Sequence, residues 1–166
     1  MEKSKTVKES KDKEYTLAEK LRYPIPYKWK IQSFNKEGTK AQCVAYIDAR
    51  DVMDLLDRAI GIENWRDSYR RDSKDRLICK LELRIGGEWV GKEDTGISGD
   101  FEEEKSEFSD AFKRAAVKWG IGRFLYDLPI RYVKVLNKKP VDDRGLEIKD
   151  LTKYFNLLDK RNVQTN

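Results

Sequence analysis

The sequence predicts an α+β fold, an antiparallel β-meander with one long helix packed across a face of it (a β-β-β-α core). Three observations predict it. Leu77, Cys79, Leu81, Leu83 and Ile85 alternate with Ile78, Lys80, Glu82 and Arg84, the period of a strand with one buried face. Gly86-Gly87 follows at once, two residues that tolerate positive φ and suit a two-residue hairpin turn. Further on, Phe108, Phe112, Ala115 and Trp119 recur at helical spacing and make one apolar stripe.

Taken in order, residues 1–14 are Lys, Glu, Ser and Asp with few apolar side chains, a charged leader expected to be disordered. A single domain is expected over 15–166. Residues 15–21 suit a short helix, ended by Tyr23-Pro24-Ile25-Pro26, because each proline disfavours helix at the residue before it. Tyr27-Lys28-Trp29-Lys30 alternates aromatic and cation in an extended arm, and 41–47 is β-prone. Asp48 stands where a helix N-cap would, and Val52, Leu55, Leu56, Ala59 and Ile60 form a buried stripe up to Gly61, a fitting end residue. The meander then takes 65–71, a turn at Asp72-Ser73-Lys74-Asp75, 77–85 and 89–95. Gly96–Gly99 is a loop, and the long helix begins near Asp100 or Phe101, with Glu102, Glu103 and Glu104 in the first turn where the helix dipole favours anions. Gly120 and Gly122 end it. Residues 130–136 read as a strand or extended arm, and Leu151, Tyr154, Phe155 and Leu158 as a short C-terminal helix.

Composition removes several classes of function. The 166 residues contain no histidine, which excludes Ser-His-Asp chemistry and histidine-ligated metals. Two cysteines make neither a disulfide framework nor a four-cysteine zinc site, and their apolar surroundings suggest buried thiols in a reducing, cytoplasmic setting. No run is long and apolar enough to span a membrane, and the leader lacks the apolar centre of a signal peptide. Neither Gly86-Gly87 nor Gly96-x-x-Gly99 continues into the Gly-Lys-Ser/Thr of a P-loop. A Mg²⁺-dependent nuclease has weak support: Glu103-Glu104-Lys105 has the required letters but falls in a helix, and Glu82-Leu83-Arg84 is on a strand but lacks the lysine.

The charge is arranged more tellingly than its net value of +5 suggests. Residues 98–110 carry −5, residues 113–139 carry +7 and residues 20–40 carry +5. Segregated charge of this kind serves either a polyanion or a solvated helix face. Lys113, Arg114, Lys118 and Arg123 fit one basic patch on the long helix and its extension, with Arg131 and Lys134 continuing it. Phe108, Phe112 and Trp119 are expected in the core. Tyr27, Trp29 and Tyr69 are equally suited to stacking on bases and to packing under the leader.

Tyr46-Ile47-Asp48-Ala49-Arg50, Gly61-x-x-Asn64-Trp65, the meander, and then Asp110-x-x-Lys113-Arg114-Ala115-x-x-x-Trp119-Gly120 together resemble the Rad-fifty-two group of single-strand annealing proteins, in particular its small bacterial and phage members. The resemblance covers about Tyr27 to Pro129. It implies oligomeric rings with a basic groove that holds single-stranded DNA, its bases exposed for pairing. It implies annealing in recombination and repair, with no cofactor and no bond-breaking step. The implied partners are single-stranded DNA and further copies of the chain, with single-strand binding protein a third candidate. Lys113 and Arg114 fall on the group's DNA-contacting basic pair. Two positions depart: a group cation is replaced by Val117, next to Lys118, and a group arginine aligns with Asp51, one residue after Arg50. The long tail of eukaryotic relatives is not expected here. The rival reading from composition alone is a nucleic-acid-binding module of the double-stranded-RNA type with no annealing activity.

Overall fold

The computed structural model describes residues 14–96 and 103–164, so the leader and the expected start of the long helix lie outside the described residues. A short helix α1 (Leu17–Leu21) opens with a capping box, in which Thr16 and Glu19 satisfy each other's backbone N–H groups. Then follow β1 (Lys28–Phe34), β2 (Lys40–Tyr46), α2 (Ala49–Ile60), β3 (Trp65–Arg71), β4 (Leu77–Ile85), β5 (Glu88–Thr95), α3 (Glu103–Lys118), β6 (Arg131–Leu136), β7 (Lys139–Val141) and α4 (Leu151–Gln164).

The strands β3-β4-β5 form the expected antiparallel meander, with Trp65 opposite Leu83 and Leu83 opposite Val90. Leu77, Cys79, Leu81 and Leu83 are buried on one face, against which α3 lays Ala111, Phe112, Ala115 and Ala116. Helix α2 adds Val52, Leu55 and Leu56 to the same core. Gly96, at the end of β5, admits α3 at close range: a Cβ there would come within 2.6 Å of the Glu107 carbonyl oxygen.

Four expectations change. Asp48 stands at the N-cap of α2 but makes no capping bond; its carboxylate accepts from Lys28 Nζ at 2.5 Å instead. Ile85 is 39% exposed at the hairpin end, whereas Glu82, on the other face, is buried beneath Arg66 and Lys80. Phe108 is exposed and meets Tyr69 at the margin of the sheet, with ring centroids 4.8 Å apart. Trp119 falls after the last helical residue and is only half-buried, with its indole N–H donating to the Leu81 carbonyl at 3.1 Å.

The larger departure is a second sheet of four strands, in the order β1-β2-β6-β7. The residues read as an arm are a full strand, β1, hairpinned to β2, and β6 pairs with β2 with Cys43 opposite Arg131. One face of this sheet (Trp29, Ala41, Cys43, Val133 and Val135) packs on Phe155 of α4, making a second core. Alternation along the strands turns Lys30, Val44, Tyr46, Tyr132 and Lys134 to the other face, which among the described residues no helix packs flat against. Both cysteines are buried and unpaired, and burial raises both thiols, Cys79 to about 11. Helix α4 extends the expected short C-terminal helix to fourteen residues. None of the described helices is long and apolar enough to cross a membrane.

Candidate nucleic-acid interface

The uncovered face of the four-stranded sheet and the flank of α3 enclose a cleft of about 540 Å³. Lys30, Val44 and Tyr46 line it from the sheet; Asp110, Lys113, Arg114 and Val117 line it from α3; Tyr126 and Ile130 line it from the segment that follows. The turn between α3 and that segment depends on Gly122. Its φ is +72°, and a Cβ would lie 2.7 Å from Ile47 Cδ1, so a side chain would push the segment off the end of β2.

Lys113 and Arg114 thus meet a third cation, Lys30, from the opposite wall. Burial lowers the pKa of Lys113 and the Lys30 charge lowers it further, while Asp110 and Asp48 act in the other direction. Arg114 keeps a loose tie, with its Nε 3.6 Å from Asp94 Oδ1.

The other cations of the expected patch are not brought into this cleft. Lys118, one helical turn on, has its Nζ 3.6 Å from Asp94 Oδ2 and donates to the Glu93 carbonyl. Arg123 caps the C-terminus of α3, donating to the Val117 and Lys118 carbonyls at 2.8 and 2.9 Å, where a cation is favoured by the exposed carbonyls. Arg131 turns to the α4 side of its sheet, where it forms a forked pair with Asp159 at 2.7 and 2.9 Å over the rings of Trp29 and Phe155. Lys134 lies on the uncovered face but beyond the cleft, 2.9 Å from Asp143. Arg50 is exposed in the first turn of α2 and does not line the cleft. Of the aromatics held open between two roles, Trp29 is buried against Phe155, Tyr27 packs on Trp29 and Phe124, and Tyr69 packs on Phe108. Lys30 was not among the expected site residues; its signal was the alternation of cation and aromatic from Tyr27 to Lys30, which places Lys28 and Lys30 on one face of a strand. Among the described residues no group of three or more His, Cys, Asp or Glu side chains is placed to hold a metal ion.

The family described as Rad52/22 double-strand break repair proteins matches residues 13–143. The chain belongs to the Rad52/22 family. This Rad52/22 chain is also similar to two curated relatives, each named single-stranded DNA-binding protein DdrA. It is 39% identical to that of Deinococcus radiodurans over 119 residues, covering 68% of the chain and 56% of the relative. It is 39% identical to that of Deinococcus deserti over 123 residues, covering 70% and 60% respectively. The Rad52/22 match takes in both the meander with α3 and the β1-β2 hairpin, so both walls of the cleft fall inside it. The chain spans less than two thirds of the length of either relative.

Proposed function

We propose that this chain binds single-stranded DNA in the cleft and anneals complementary strands without ATP during recombination and repair. The observation that carries the reading is the convergence of Lys30 with Lys113 and Arg114 from opposite walls, within a chain of the Rad52/22 family. The names of the two Deinococcus relatives support the choice of single-stranded DNA as ligand. The mechanism is physical. Three cations neutralise phosphates and hold a strand extended, which lowers the repulsion that a second strand must overcome before pairing nucleates. No covalent bond forms or breaks.

Copies of the chain assemble as a ring in this proposal. Strands β1 and β5 are edges of their sheets, and a closed ring needs two unlike surfaces on each copy. Single-strand binding protein, which would cover the same substrate, is the expected neighbour.

The test is to mix labelled complementary oligonucleotides without nucleotide and follow hybridisation with and without the protein. The wild type should accelerate pairing, and the double variant Lys113→Ala/Arg114→Ala, with its circular dichroism unchanged, should not. Pairing at the protein-free rate with wild type, or full acceleration by the folded double variant, would reject the proposal.

A further inference from the structure

The cleft accounts for the phosphates of a strand but leaves two exposed rings beside it without a role. Tyr126 lines the cleft and is 76% exposed. Tyr132 is 62% exposed on the uncovered face of the four-stranded sheet, directly opposite Gln42 of β2. The register makes this position continuous with the cleft: Val44, a lining residue, sits two residues from Gln42 on the same face, and Ile130, another, stands two residues before Tyr132. Beyond Tyr132 the face continues to Lys134, opposite Lys40. A path along this face therefore meets Lys30, Tyr132 and the Lys40–Lys134 pair, with Tyr126 in the cleft wall alongside.

Tyr27, Trp29 and Tyr69 each pack against another ring, whereas among the described residues neither the Tyr126 nor the Tyr132 side chain meets a ring or makes a hydrogen bond. Flat amphipathic rings left in water along a cationic track are what a single strand needs besides its phosphate contacts.

We propose that Tyr126 and Tyr132 are base platforms, on whose faces the nucleobases of a bound single strand stack while its phosphates sit on Lys30, Lys113 and Arg114. This rests on the single-strand reading above and adds the ligand's other half. Stacking uses the face of a base and leaves its Watson–Crick edge free, so the platforms hold a strand without hiding what a complement must read. Because every base has such a face, they hold it without preference for sequence.

The experiment measures affinity by fluorescence anisotropy for an oligo-dT and for an abasic oligomer with the same number of phosphates. Wild type should prefer oligo-dT. Tyr126→Leu and Tyr132→Leu should each lose about fivefold or more for oligo-dT, the lower end of one base–aromatic stack, and keep their affinity for the abasic oligomer. Tyr126→Phe and Tyr132→Phe should stay within about twofold of wild type, since the ring and not the hydroxyl carries the contact. Equal wild-type affinity for the two oligomers, equal losses on both in the Leu variants, or a Phe loss matching the Leu loss would overturn the platforms while leaving phosphate binding standing. A Leu variant whose mass by light scattering falls while its dT affinity holds would assign the rings to contacts between copies, which also overturns them. Failure of wild type to bind either oligomer would instead bring down the single-strand reading itself.

Discussion

Removing Lys30, Lys113 and Arg114 together should take most of the salt dependence out of strand binding. Single-stranded nucleic acid releases counterions in proportion to the phosphates a protein neutralises, about 0.7 in the slope of log K against log salt for each. The cleft gathers three cations, so the wild-type slope should be near −2 per protomer, about a hundredfold loss of affinity for a tenfold rise in salt. Lys30→Ala alone should bring the slope to about −1.4, and the triple Ala variant should bring it near zero. Lys118→Ala should leave it unchanged, because that ammonium is held at β5 by the Glu93 carbonyl. Anisotropy titrations of oligo-dT at several salt concentrations supply the slopes, with circular dichroism confirming that each variant is folded. A wild-type slope near −3.5 that falls with Lys118→Ala would mean that the cations beyond the cleft also touch phosphates. A triple variant with an unaltered slope would mean that strands bind elsewhere.

Two further outcomes follow from single residues. Lys113 has its pKa below the ordinary 10.5, so at alkaline pH the folded chain sheds this proton before the unfolded chain does. Stability from this group therefore rises with pH between the folded and unfolded values, while strand affinity falls over the same window as the phosphate contact loses its charge. Lys113→Arg should hold its affinity there; a parallel decline in both proteins would refute the assignment. Trp119→Phe removes the hydrogen bond to the Leu81 carbonyl and weakens the cation contact with Lys92, which should cost about 1–2 kcal/mol. Thermal denaturation should show this as a fall in Tm with strand affinity preserved, and the reverse pattern would place the indole on the DNA.

The meander was legible because its pattern is local. The alternation of β4 and the turn at Gly86-Gly87 place every strand of that sheet within one stretch of chain. The second sheet was not, because β2 finds its partner β6 some ninety residues away, and nothing near Lys40 or Arg131 announces that pairing. Half of the cleft went unread for the same reason. Lys113 and Arg114 were visible from α3, while Lys30 enters only when the far sheet closes the other wall. Helical spacing also set Arg114 and Lys118 on one flank. What it could not show is the competition of carbonyls at the end of α3 and along β5, which hold Lys118 and Arg123 away from the cleft.

Asp94 gives the proposed complex a low friction. Its carboxylate, on β5 beside the cleft residue Arg114, stands 3.6 Å from both Arg114 and Lys118, too long for a strong hydrogen bond to either. A phosphate arriving at Arg114 exchanges one anion for another, and when it leaves, the guanidinium returns to a ready neighbour instead of being left bare. In the proposed complex this exchange would keep the barrier to moving a strand by one nucleotide small. Two complementary strands rarely meet in the correct alignment, so a protein that gripped one of them rigidly would trap the first mismatch it formed. In the proposed mechanism, a grip handed back to Asp94 would let the strand slide until its alignment with the complement is right. Asp94→Asn should therefore tighten binding and slow annealing together, a combination that a site built only for affinity would not produce.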